Sequence, residues 1–164
     1  MLTKVQYFGY GANRTPEMME AILGRVPKGY PATLSGFELC IQSWEEMPEQ
    51  VKKLLQPSWN SKFRTYFVRP VNRSTAIVKG KVWVITKQER QIIDNWELTG
   101  QWYKVYAMQF HKSEDQVTQI EIQVMDTPAA TKVVNGKLYK NFLNSKEKML
   151  RVARRNREQF LAKN

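Results

Sequence analysis

Two groupings in this sequence have residue types and spacing that can support chemistry. The first is Glu97, which follows Ile93-Asp94-Asn95-Trp96 at the end of a helix expected over 87–96. Unpaired carbonyls at a helix C-terminus disfavour a second anion, and the bulk of Trp96 and Trp102 removes water from it. Both effects raise a carboxyl pKa towards neutrality, where a general base works best. A solvated glutamate at a frayed helix end fits the same residues. The second grouping is Tyr7-Phe8-Gly9-Tyr10-Gly11-Ala12-Asn13. A strand is expected over 4–8 and a helix start at Thr15-Pro16-Glu17, so both glycines fall in a strand-to-helix turn. Such a turn presents backbone amides to a carboxylate or phosphate, and glycine lets the ligand approach the chain. A plain connecting turn is the alternative.

Other chemistries find little to work with. The single histidine, His111, is expected in the polar tip of a hairpin, a poor place for a Ser-His-Asp or Cys-His site. Cys40 lies in the apolar run Phe37-Glu38-Leu39-Cys40-Ile41 and reads as a buried, inert thiol. As the only cysteine it excludes an internal disulfide and a cysteine zinc cluster. Gly9-Tyr10-Gly11 lacks the third glycine of a dinucleotide fingerprint and the lysine of a P-loop. No histidine or aspartate cluster has metal spacing, so neither a metal nor a cofactor is expected.

The elements that must position these groups follow from periodicity. Behind Thr15 as N-cap, Pro16 opens a helix with Met19, Ile22, Leu23 and Val26 on one face, ending at 27–29. Residues 30–42 read as a strand or a bent pair of strands with a bulge at Gly36, followed by a short helix over 47–55. The alternation from Phe63 to Arg69 reads as a strand. Residues 76–86 contain Val82-Trp83-Val84-Ile85, an unbroken apolar run expected at the sheet centre. Thr86-Lys87-Gln88-Glu89 has the spacing of a capping box, and Ile92, Ile93 and Trp96 form the apolar stripe of the helix it opens. Residues 102–110 and 117–125 read as a hairpin around a tip at 111–116, and Asn135-Gly136 as a turn. A final helix or helix pair is expected over 138–161, with Phe142, Met149, Val152 and Phe160 inward. Mixed strands and helices without βαβ regularity indicate an α+β fold on a small mixed, barrel-like sheet with flanking helices.

A chain of 164 residues fits one domain spanning 1–164. No apolar run approaches the roughly 18 residues of a membrane span. The segment from Met1 to Gln6 has no signal-peptide pattern, so a cytoplasmic location is expected. The net charge of +11 is concentrated at 145–164, where Lys146, Lys148, Arg151, Arg154, Arg155, Arg157 and Lys163 face only Glu147 and Glu158. A basic helix there serves either as a solvated face or as a surface for nucleic acid or another anion.

The opening loop resembles the substrate loop of the γ-glutamylcyclotransferase-like family, usually Tyr-Gly-Ser-Asn. Ile93-Asp94-Asn95-Trp96-Glu97 is similar to that family's Leu-Asp-x-x-Glu-Gly segment, in which the glutamate is catalytic. Residues 32–39, 80–85 and Trp102-Tyr103-Lys104 match its strands in order, and Tyr139 is similar to a substrate-contacting tyrosine. The resemblance implies a pocket between loop and glutamate, with Glu97 as base and Tyr7, Phe8, Gly9, Tyr10, Gly11, Ala12, Asn13 and Tyr139 binding substrate. It implies release of 5-oxoproline and an amine from a γ-glutamyl amine or peptide, without metal or cofactor. Ala12 stands where serine is usual and Leu98 where glycine is usual. A catalytically altered or inactive member that binds a small carboxylate-type ligand is therefore the alternative.

Overall fold

Successive residues of a strand point to opposite faces, and in β1 (Lys4–Gly9) this sends Phe8 into one apolar cluster and Tyr7 into another. The computed structural model describes residues 3–125, 132–134 and 136–164. Asn135 of the expected turn, and Met1 and Leu2, lie outside these.

From β1 the chain enters a 3-10 turn at Gly11–Arg14 and then α1 (Pro16–Leu23). The Thr15 hydroxyl caps α1 by accepting the Met18 N–H at 3.2 Å. Gly24, at φ +83°, ends α1 sooner than its apolar pattern suggests, leaving Val26 outside the helix and exposed. Gly36, at φ +80°, separates β2 (Lys28–Ser35) from β3 (Phe37–Gln42). A 3-10 turn at Trp44–Glu46 precedes α2 (Glu49–Leu55), and β4 (Thr65–Pro70) follows. The capping box forms between β5 (Ile77–Thr86) and α3 (Lys87–Trp96), with Glu89 N–H donating to Thr86 Oγ1 and Thr86 N–H to Glu89 Oε2. The remaining elements are β6 (Tyr103–Ser113), β7 (Gln116–Met125), β8 (Lys132–Val134) and α4 (Lys146–Lys163).

Among the described residues, eight strands form one mixed sheet in the order β2-β5-β1-β7-β4-β3-β8, with β6 paired to β7 outside that path. Strand β7 runs parallel to β1 and β4; the other pairs are antiparallel. This is the expected α+β arrangement, and the path ends at β2 and β8 without closing. Its centre is β7 rather than β5. A run such as Val82 to Ile85 needs only cover on both faces, which β5 has one place in from an edge.

Two other expectations are corrected. His111 is not at a loop apex but inside β6, paired with Val117, because the hairpin tightens to Glu114-Asp115. The last helix begins at Lys146, where the Ser145 hydroxyl accepts the Lys148 N–H, so the segment from Tyr139 to Asn144 is an irregular strap. Helices α1, α3 and α4 cover the Tyr7 face with Met19, Ile22, Ile93 and Ala153.

The turn after β1 is packed with no room for a Cβ at Gly9, which would overlap the Asn13 carbonyl oxygen and crowd the Trp83 indole. Both neighbours are fixed, since Trp83 Nε1 donates to that carbonyl at 2.8 Å. Gly9→Ala is expected to destabilise the fold by about 2–3 kcal/mol, read from urea midpoints, with overpacking as the cause.

Candidate functional site

The C-terminal end of α3 is brought against the turn that follows β1. At this end Leu98 N–H bonds to the Asn95 carbonyl and Thr99 N–H to that of Asp94, the paired closure of a Schellman motif. Leu98 takes the left-handed conformation this closure requires, at φ +52°. Glu97 is the C-cap just before it and lines a cavity of about 470 Å³. Opposite lie Tyr7, Tyr10, Gly11, Ala12 and Asn13, and the wall is extended by Trp102 and Tyr103.

The buried Asn13 joins the two sides. Its Nδ2 donates to Glu97 Oε1 at 2.5 Å and to the Tyr7 hydroxyl at 2.9 Å, using both amide protons. Its backbone carbonyl is held by Trp83, whose strand β5 pairs Trp83 directly with Tyr7. Tyr7 therefore accepts from Asn13 and keeps its own proton to donate. Burial pushes the Glu97 carboxyl up to about 7, opposed by the Asn13 hydrogen bond and the Arg90 charge and aided by Asp94. Burial also raises the Tyr7 and Tyr103 hydroxyls, keeping both protonated.

Arg90 is a charge that the sequence reading missed. It is 7% exposed, its Nε lies 3.0 Å from Glu121 Oε2, and its guanidinium stands 5.3 Å from the centre of the Tyr7 ring. Asp94 Oδ1 is 3.3 Å from its Nη2. Seven residues before Glu97 on one helix, it falls two turns back on the same side, a spacing that was readable. Glu121, its main partner, is brought in by β7, and no sequence spacing reveals that. Gln123, also from β7, accepts the Tyr10 O–H on its backbone carbonyl at 2.6 Å and donates from Nε2 to Asp94 and Thr99.

Of the residues singled out in sequence, Tyr7, Tyr10, Gly11, Ala12, Asn13 and Glu97 meet at the cavity. Phe8 and Gly9 do not line it: Phe8 is wholly buried on the other face, and Gly9 is a packing position. Tyr139 acts from behind the loop, its hydroxyl accepting the Gly11 N–H at 2.6 Å while Arg14 stacks on its ring. Cys40 is fully buried and its thiol is pushed up to about 11 by burial. In α4, Arg157 donates to the carbonyls of Glu20 and Ala21, fastening α4 to α1, and Arg155 donates to Ser58 Oγ. No group of three or more His, Cys, Asp or Glu side chains able to hold a metal occurs among the described residues. No described helix is long and apolar enough to cross a membrane.

No protein-family model matches the chain, and no curated protein matches it in sequence. Solved structures do match it in fold. A gamma-glutamyl cyclotransferase superposes with a TM-score of 0.60 at 15% identity, covering 98% of this chain and 86% of the other. An uncharacterized protein from Homo sapiens gives 0.60 at 16%, with 98% and 85% covered. A gamma-glutamyl cyclotransferase specific to glutathione, from yeast, gives 0.50 at 10%, with 96% and 97% covered. The chain therefore has the γ-glutamyl cyclotransferase-like fold.

The raised Glu97 carboxyl makes stability depend on pH. Between its ordinary 4.5 and about 7 the folded protein binds more protons than the unfolded one. The resulting stabilisation is complete below 4.5 and is lost as pH rises through 7, an effect on the order of 3 kcal/mol. Glu97→Gln is expected to be more stable than the parent at pH 8 and to lose that advantage by pH 4.5, measured by urea unfolding at both values.

Proposed function

We propose that the protein is a γ-glutamylcyclotransferase, releasing 5-oxoproline and an amine from a γ-glutamyl amine or peptide. The observation that carries this reading is the Glu97 carboxyl, lifted to about 7 and held by Asn13 of the opening loop inside a cavity. The fold shared with gamma-glutamyl cyclotransferases supports it.

The substrate brings its own nucleophile. Glu97 takes a proton from the α-ammonium, and the freed amine attacks the γ-carbonyl carbon to close a five-membered ring. The carbonyl oxygen becomes an oxyanion, for which the Tyr7 O–H and the Ala12 N–H, both of residues that line the cavity, are donors. When the bond to the departing nitrogen breaks, the protonated carboxyl of Glu97 returns its proton to that nitrogen. The second proton shed by the ring nitrogen is taken up by the released amine, so protons balance and Glu97 is regenerated. Asn13 keeps the carboxylate aimed throughout, and its bond to Tyr7 couples the base to an oxyanion donor.

A second reading, in which the cavity binds a carboxylate without turnover, is favoured by one contact: Tyr139 already occupies the Gly11 N–H. The experiment that separates the two is direct. Purified protein given a panel of γ-glutamyl amines and γ-glutamyl amino acids should release 5-oxoproline, with kcat/KM rising through an apparent pKa near 7 as Glu97 ionises. Glu97→Gln should reduce the rate by about 10²–10⁴ with the fold intact by circular dichroism. An undiminished rate in that variant would remove Glu97 from the mechanism, and ligand-induced thermal stabilisation without any 5-oxoproline would favour the binding reading.

A further inference from the structure

The cavity is larger than a γ-glutamyl group needs, and its second wall has a different chemistry. That wall comes from the segment after α2, the start of β4 and one side of α4. Trp59 and Phe63 pack there with ring centroids 4.7 Å apart and planes tilted by 40°, and Lys148 Nζ lies 4.9 Å from the Trp59 ring centre. Arg64 and Arg155 also line it, the former donating to the Leu143 carbonyl at 3.4 Å and the latter to Ser58 Oγ at 3.0 Å. Neither arginine has an ion pair among the described residues. Among the described residues Glu97 is the only acid in the lining, so the cavity has one carboxyl beside the loop and, elsewhere, two exposed guanidinium groups without an ion pair and a pair of aromatic rings.

An arginine whose only partners are a neutral hydroxyl and a carbonyl retains donors for an anion, and charge-assisted bonds to a carboxylate are its strongest use. Aromatic faces beside it accept a flat or apolar group. We propose that Trp59, Phe63, Arg64 and Arg155 form the subsite for the departing half of the substrate, selecting amines that carry a carboxylate next to an aromatic side chain. The inference rests on the cyclotransferase reading and adds what is released: an aromatic α-amino acid rather than a simple amine or a polyamine. A cationic amine meets like charge at this wall. Arg155 comes from α4, so part of that basic helix would face substrate rather than nucleic acid.

The test compares γ-glutamyl-phenylalanine with γ-glutamyl-phenethylamine, which differ only in the carboxylate, using the full chain and the variants Arg64→Gln, Arg155→Gln and their combination. The phenylalanine conjugate should be turned over at least about tenfold more efficiently, the size of one good charged contact. In the double variant this advantage should vanish through KM, with kcat and the phenethylamine conjugate unchanged, while Arg→Lys at both positions should restore part of it. Equal use of the two conjugates by the parent, or equal losses on both in the double variant, would overturn the subsite. If other γ-glutamyl compounds yield 5-oxoproline but neither of these conjugates does, the subsite is overturned; if no γ-glutamyl compound does, the cyclotransferase reading fails and the subsite is judged by calorimetry with N-acetylphenylalanine against N-acetylphenethylamine. Tighter binding of the carboxylate that disappears in the double variant would support it, and equal binding would overturn it.

Discussion

One primary amide, that of Asn13, holds the two halves of the site together. Its two protons go to Glu97 and Tyr7, and the backbone carbonyl of the same residue is clamped by the Trp83 indole, so neither the carboxyl nor the loop is placed alone. The clamp in turn depends on the antiparallel register that sets Tyr7 opposite Trp83. A slip of one residue would turn both side chains to the other face of the sheet. A hydrogen bond to a charged group is worth about 1.5–3 kcal/mol, and here it is spent against burial, which pushes in the opposite direction. Burial prevails, and the carboxyl settles near 7, where it can exchange a proton in either direction.

Arg90 limits how far that rise goes. A buried guanidinium is costly unless paired, and Glu121 at 3.0 Å supplies the main compensation, with Asp94 nearby. Its positive field lowers Glu97 while Asp94 raises it, so the pKa reflects a balance among groups on α3 and the Asn13 amide of the opening turn as well as simple desolvation. The same guanidinium lies against the Tyr7 ring, and so supports the residue that accepts from Asn13. Carboxyl, loop and charge are thus one packed unit joining β1, α3 and β7.

Local signals were legible where a few neighbouring residues decide the outcome. Thr15-Pro16 opened α1 and Thr86 with Glu89 opened α3, because capping is settled within one turn of chain. The pairing of a glycine turn with Glu97 was also readable, although only from the resemblance of both segments to one family. What was not legible is long-range. The apolar run in β5 could not say which strands would flank it, and the basic and apolar residues after Leu138 gave no sign that the helix waits until Lys146. Tyr139 was singled out, but its bond to the Gly11 amide depends on how the strap is laid across the turn. Arg64, Arg155 and Trp59 belong to separate elements that only packing assembles.

The two departures from the family pattern differ in what they change. Leucine in the left-handed region costs about 1–2 kcal/mol relative to a comfortable conformation, yet Leu98 adopts it and both closing bonds of the motif form. The geometry a glycine would give is therefore kept. Leu98 adds what glycine lacks, a side chain packed against the apolar cluster that contains Phe63 and Trp102, beside Glu97. Burial is the largest influence on that carboxyl, and a side chain at this position adds cover that a glycine would not. Ala12 removes a hydroxyl but leaves its amide at the cavity, on a turn fixed from one side by Trp83 and from the other by Tyr139. The difference from the family is thus one of a missing hydroxyl rather than of backbone, because the turn that carries Ala12 is held on both sides.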